Sequence, residues 1–329
     1  MIGSNARRTR RLIDTDDRSP ESRENCDENF PRPERLADTS PANSAHLLAY
    51  TRRNVCPAQK VGIEWAAHPT GQVDMGFSER QLRSILHQGT PRAKAREAAR
   101  RSGRKLARVI EDWGEDTIVD VVEHGSFAKE TNIVGGADID LFVSITSTMA
   151  GTLQEMRESL FKWLRHEKRY IVRRQDVSIR TRFGNIEIDV VPGKRQTQWG
   201  GDHSLWSREL GSYIKTNINK QIRYVVDSGR QDEIRLAKLW RDGHGLECPS
   251  FLLELAVIRA LKGKRRDRLD DNFETVLEYL AGRFRRARLT DPGNSANVVS
   301  SVLDEGEKDV IADAAANALG SSTRRAFGR

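Results

Sequence analysis

The sequence predicts an α+β protein, a mixed α/β half followed by an all-helical half. Three observations predict it. Short apolar, β-branched runs at residues 117–122 (TIVDVV) and 139–145 (IDLFVSI) flank a glycine turn and read as strands. A hairpin-like pair follows at 177–183 and 185–191, turning at Gly184. After Pro192 the apolar spacing becomes helical, over residues 209–227, 231–241, 249–262, 271–288 and 305–319.

The order of elements sets the expected domains. Residues 1–74 hold six of the ten prolines, and their eleven Lys/Arg balance eleven Asp/Glu with little apolar periodicity. Such a segment reads as disordered or as an extension outside the native chain, and a start at Met75 is compatible with that reading. The first helix pattern follows Met75, where Ser78 is placed to cap a helix whose Leu82, Ile85 and Leu86 share one face. A second helix is expected over residues 91–113 and a third over 149–166. The expected division is therefore 1–74 as extension, 75–200 as α/β core with its N-terminal helices, 201–320 as helical domain and 321–329 as flexible tail.

Charge and composition narrow the function. The net charge is +8, and because residues 1–74 are neutral the whole excess belongs to residues 75–329. The folded part should favour polyanionic ligands, nucleotides first among them. The richest apolar stretch, residues 251–261, is interrupted by Glu254 and Arg259, so no membrane span is expected. Three cysteines, Cys26, Cys56 and Cys248, lack metal-ligand spacing and are odd in number. With no secretory signal pattern, the reading is a reduced cytoplasm.

The segment from His124 to Val143 carries the chemistry: a Gly125-Ser126 turn leaves one strand, and Asp138 and Asp140 open the next. Side chains at i and i+2 of a strand point the same way, so the two carboxylates share a face while Ile139 and Leu141 take the other. Hard oxygen ligands placed this closely suit Mg²⁺ or Mn²⁺ with substrate phosphates. A third carboxylate is needed for a two-metal site, and Asp189 supplies it, with Ile186, Ile188 and Val190 on the opposite parity. Glu187 shares the parity of Asp189 and is the alternative ligand. Asp138 and Asp140 would hold the metal on a triphosphate, and Asp189 would complete the site and favour deprotonation of an attacking hydroxyl. Gly125 lets backbone approach phosphate, and Ser126 and nearby amides can donate to its oxygens.

Gly-Ser, a short loop, Asp-x-Asp and a later lone Asp on a strand resemble the DNA polymerase β nucleotidyltransferase superfamily. The loop Lys129-Glu-Thr-Asn-Ile is similar to that of its bacterial cyclic GMP-AMP synthase-like (CD-NTase) branch, the oligonucleotide cyclases of antiphage signalling. The segments starting at Ile234, Cys248 and Leu289 are similar in order and character to the helical domain of those enzymes and of oligoadenylate synthetases. The resemblance covers residues 75–320. It implies a polymerase-β-like core with a mixed sheet, a helical oligoadenylate-synthetase-like domain, and a nucleotide in the cleft between them. It also implies that Lys238 and Ser250 contact the triphosphate, that Phe251 stacks on a base, and that NTPs, ATP among them, are joined into a cyclic di- or trinucleotide. Regulatory or effector proteins encoded nearby are implied as partners.

Each residue also has a plainer reading. Lys238 reads equally as a helix lysine beside Trp240, Phe251 as the start of a core run, and Ser250 as a helix cap behind Pro249. His124, alone at a strand end, reads as a packed residue and not as a catalyst. Basic runs at 92–108, 262–268 and 283–288 are compatible with a nucleic-acid track or an activator surface, and equally with solvated helix faces; nucleic acid is not required. Two other functions fit the motif: an RNA-end transferase of the CCA-adding kind, and a catalytically silent nucleotide-binding scaffold. The Asp291-Pro-Gly-Asn segment is expected as a turn that closes the cleft or fixes the last helix.

Overall fold

A computed structural model of the chain describes residues 77–135, 139–166, 170–184, 186–321 and 323–327. The expectations for residues 1–74 and for Asp138 lie outside the described residues.

The chain enters through α1 (Glu79–Gly89) and α2 (Ala93–Gly114), then β1 (Ile118–His124), the short α3 (Gly125–Ala128), β2 (Ile139–Ile145) and α4 (Leu153–His166). Next come β3 (Ile171–Arg174), β4 (Ile179–Phe183), β5 (Ile186–Arg195), β6 (His203–Ser207) and β7 (Ser212–Thr216). The helical half holds α5 (Ile218–Ser228), α6 (Gln231–Gly243), α7 (Ser250–Ala260), α8 (Leu269–Ala281), α9 (Glu305–Leu319) and α10 (Thr323–Ala326). A two-stranded hairpin, β8 (Thr290–Asp291) with β9 (Asn294–Val298), precedes α9.

Strands β1 to β7 form one mixed sheet in the order β1-β2-β5-β4-β3, with β6 pairing both β5 and β7. Only β2 and β5 run parallel. One face is apolar, because Ile139, Leu141, Val143, Ile188 and Val190 alternate toward Leu106 and Ile110 of α2 and Leu160 and Leu164 of α4. On the other face Phe142, Val191 and Leu205 meet Ile218 at the start of α5. That smaller cluster sets the first helix of the helical half against the sheet.

The helical half builds a core of its own around Trp240, Leu252, Phe273 and Leu277. Helix α1 belongs to it: Leu82, Ile85 and Leu86 pack there and not on the sheet. The first described helix therefore packs in the helical lobe and not with the α/β core, where the sequence expectation put it. Ser78 stands at the N-cap of α1, yet its side chain makes no cap hydrogen bond and its amide instead donates to Thr323 Oγ1 at 3.0 Å.

Two further boundaries differ from the sequence expectation. The stretch expected to be helical from residue 209 holds β7, and α5 begins at Ile218 behind Asn217, whose side chain accepts from the Lys220 amide at 3.0 Å. The described part of the expected flexible tail is packed: Phe327 is buried and stacks on Phe273 with ring centroids 5.3 Å apart. No described helix is long and apolar enough to cross a membrane.

Phe273 is the keystone of the helical core, fully buried and held edge-on by Phe77 at 5.2 Å as well as by Phe327. Phe273→Ala should lower the unfolding free energy by about 3–5 kcal/mol. Urea unfolding reads this directly, and a loss below about 1 kcal/mol would show that the aromatic trio does not organise the lobe.

Candidate active site

Strand register, more than sequence spacing, assembles the centre. His124 of β1 lies opposite Asp140 of β2, Asp140 lies beside Asp189 of β5, and Asp189 lies opposite Arg180 of β4. Side chains at paired positions share a face, so these residues form one row across the sheet. The row stands on the face opposite the α2 and α4 packing. Asp140 is half-buried and Asp189 is 1% exposed.

Two adjacent carboxylates in so dry a place need a cation. In the protein alone Arg180 serves Asp189, with Nε donating to Oδ1 at 2.8 Å and Nη2 to Oδ2 at 2.7 Å. Among the described residues no group of three His, Cys, Asp or Glu side chains is arranged to hold a metal. Asp140 and Asp189 remain as a pair of hard oxygen donors, and that donor chemistry fits a divalent cation bound together with phosphate oxygens. Asp138, expected as their companion, lies outside the described residues.

Gly125 shows why a residue without a side chain is needed here. Its φ is +63°, and a Cβ would collide with Asp140 Oδ2. Glycine thus makes room for the carboxylate itself, in addition to any approach of phosphate. Ser126, half-buried beside it, leaves its backbone carbonyl to accept from the Thr131 amide at 2.9 Å.

From Gly125 the chain turns through Glu130, whose φ of +58° is left-handed, and delivers Lys129 and Thr131 to the helical half. There they meet Glu254 of α7. Lys129 Nζ donates to Glu254 Oε2 at 3.0 Å, Thr131 Oγ1 donates to Oε1 at 2.9 Å, and Lys238 Nζ of α6 donates to Oε1 at 2.7 Å and to Thr131 Oγ1 at 2.9 Å. All four side chains are buried. Lys129 Nζ also sits 4.2 Å from the centre of the Phe251 ring.

Two ammonium groups share one carboxylate in this cluster. Burial alone would raise the Glu254 carboxyl, but Lys129 and Lys238 outweigh it and hold the group down at about 2. Burial pulls Lys238 down, and half of a shared carboxylate only partly restores it. Counted by formal charge, the knot sets two lysines against one carboxylate of its own. An incoming polyanion is the natural complement.

The remaining expected contacts fall close by. Ser250 is the first residue of α7, behind Pro249, and its Oγ accepts from Arg241 Nη1 at 3.0 Å, so its hydroxyl proton points elsewhere. Phe251 is buried under Lys129. The Asp291 segment is a hairpin and not a bare turn: Asp291 accepts from the Gly293 amide at 2.7 Å and from Gln221 at 2.8 Å. Burial raises the Asp291 carboxyl, and the field of Lys129 reaches it. His124 is buried with Nε2 unpartnered among the described residues, and burial with help from Lys129 pushes it down to about 3, so it is neutral near pH 7.

Lys129, Thr131, Glu254 and Arg180 were not among the residues expected from sequence. Glu254 had a visible signal, a lone acid inside an apolar helix with a lysine on the preceding helix. Arg180 had none beyond its place on a strand.

Glu254→Gln leaves two buried ammonium groups facing a neutral amide, so a loss of about 3–5 kcal/mol is expected at neutral pH. The acid limb should change as well. A carboxyl lowered from 4.5 to about 2 contributes stability that is full above 4.5 and lost as pH falls toward 2. Urea titrations across that window should be flatter for Glu254→Gln than for the parent. A variant as stable as the parent would remove the knot from the account.

No family model matches the chain. Among curated proteins it is 25% identical over 244 residues to the CBASS oligonucleotide cyclase CdnC of Escherichia coli (strain KTE188), covering 63% of this chain and 77% of the relative. It is 26% identical over 272 residues to the cyclic AMP-AMP-AMP synthase of Escherichia coli (strain MS 115-1), covering 69% and 84%. Among solved structures, Escherichia coli MS115-1 CdnC with ATP aligns with a TM-score of 0.60 at 22% identity, covering 73% of this chain and 89% of that one. The CD-NTase CdnG of Bradyrhizobium diazoefficiens with GTP aligns at 0.60 and 14% identity, covering 72% and 90%. Fold, motif order and relatives agree: in sequence and in fold the chain is similar to the bacterial cyclic GMP-AMP synthase-like (CD-NTase) nucleotidyltransferases.

Proposed function

We propose that this nucleotidyltransferase joins NTPs, ATP among them, into a cyclic di- or trinucleotide second messenger of antiphage signalling in the cytoplasm. One observation carries the reading. The seven residues from Gly125 to Thr131 touch an acidic row at one end, Asp140 with Asp189, and a buried lysine pair of surplus charge at the other. A metal–triphosphate has the matching polarity, with cations for the carboxylates and anionic oxygens for the lysines.

In each transfer a ribose hydroxyl gives up its proton to solvent as its oxygen bonds to the α-phosphorus of the next nucleotide, the bond from that phosphorus to the bridging oxygen breaks, and pyrophosphate leaves with the electron pair. Mg²⁺ or Mn²⁺, when bound, neutralises the triphosphate and lowers the pKa of the attacking hydroxyl. Asp140 and Asp189 would hold it, together with Asp138. The Gly125-Ser126 turn and Lys238 orient the departing phosphates, Ser250 donates the hydroxyl proton that Arg241 leaves free, and Phe251 offers a face to a base. The names of the two curated relatives support a cyclic product. The complex of Escherichia coli MS115-1 CdnC with HORMA supports a protein regulator for this chain too.

Purified protein incubated with the four NTPs and Mg²⁺ or Mn²⁺, then phosphatase, should yield a resistant product whose mass is that of a cyclic oligonucleotide. Asp140→Asn, Asp189→Asn and Gly125→Ala should each reduce it by about 10²-fold or more, Gly125→Ala because the new methyl displaces the Asp140 carboxylate. Full activity in Asp140→Asn, or products that only lengthen an added RNA, would reject the reading.

A further inference from the structure

Asp189 stands in a peculiar position for a metal ligand. It is 1% exposed, and both of its oxygens are already covered by the two parallel donors of Arg180. The third arm of the same guanidinium reaches sideways: Nη1 lies 3.2 Å from Glu187 Oε2. Glu187 is two residues before Asp189 on β5, on the same parity, and its side chain is 38% exposed where that of Asp189 is buried. Arg180 thus already touches a deep carboxylate and a shallow one.

We propose that Arg180 is a built-in counter-ion that occupies Asp189 in the metal-free enzyme and passes to Glu187 when a divalent cation takes Asp189. This rests on the reading of Asp189 as a metal ligand. A bare carboxylate at that depth would be an uncompensated buried charge, so a counter-ion must stand beside it before metal arrives. The guanidinium does so without closing the site for good, because it is always charged and has a second acceptor within reach. An arriving dication meets a positive charge in its place, and metal affinity is set by a competition inside the protein. Glu187 lowers the barrier by giving Arg180 somewhere to go. The residue that shares the parity of Asp189 is thereby assigned as the resting place of Arg180 and not as an alternative ligand.

The test reads Mn²⁺ binding to the full chain by electron paramagnetic resonance, with no turnover required. Arg180→Gln should bind Mn²⁺ about 10-fold more tightly than the parent, because the competitor is gone. Glu187→Gln, a change at a partly exposed position, should bind more weakly, because Arg180 has lost its alternative partner. In the Arg180→Gln background Glu187→Gln should have no further effect. Arg180→Lys, which keeps the charge without the fork, should stay near the parent value and guards against a folding defect in Arg180→Gln.

Weaker Mn²⁺ binding by Arg180→Gln, by about 10- to 100-fold, would overturn the proposal and make Arg180 a fixed orienting partner of a bound ligand. Weakening by Glu187→Gln in both backgrounds would also overturn it, and would make Glu187 a ligand. An unchanged affinity in Asp189→Asn would instead sink the metal reading of Asp189, and the exchange with it.

Discussion

One buried carboxylate joins the two halves of this enzyme. Glu254 stands on α7 of the helical core, and its partners are Lys238 of α6 and the Lys129 and Thr131 of the segment that leaves the sheet. Each partner alone would be an unpaired polar group in a dry place, at a cost of several kcal/mol. Together they satisfy one another, and the geometry is fixed because Thr131 Oγ1 donates to Glu254 while accepting from Lys238. The left-handed turn at Glu130 exists to make that delivery. Its consequence is functional: the segment that carries the Gly-Ser turn cannot move independently of the helical lobe.

The acidic row depends on a second constraint, the pairing register of β2 with β5. A slip of one residue would carry Asp140 or Asp189 to the apolar face among Leu106 and Leu160. The hydrophobic alternation of Ile139, Leu141, Ile188 and Val190 therefore aims the carboxylates as well as building the core. Gly125 then leaves Asp140 its space. The lysine knot and the acidic row are thus two products of the same packing, brought together by a segment of seven residues.

Much of this was legible in the sequence, and the reasons are particular. The strands β1, β2, β4 and β5 carry strong alternation or β-branched runs, and Ile188 and Val190 landed on the face their parity predicts. The end of β5 was not legible, because proline in a central strand ordinarily stops a ladder. Pro192 is tolerated at the gap on one flank of β5, after the last β4 partner at Val190 and before the first β6 partner at Lys194. Strands β3, β6 and β7 are four or five residues long, too short for a period to stand out in the sequence. In the site, Asp140 and Asp189 were visible as spacing, and Glu254 showed only as a lone acid inside an apolar helix, whereas Arg180, which acts through a partner nine residues away on another strand, left no local trace. Lys238 and Phe251 had two readings each, and both are buried here against Glu254 and Lys129.

The account places one metal–triphosphate between the Asp140–Asp189 row and the Lys129–Lys238 pair. The most direct measurement is a crystal structure of the protein with Mg²⁺ and a non-hydrolysable ATP analogue. The predicted result has the triphosphate spanning the Gly125–Thr131 segment, metal on Asp140 and Asp189, and an anionic oxygen within hydrogen-bond reach of Lys238 or Lys129. A triphosphate bound on another face, with the acidic row and the lysine knot both untouched, would contradict it.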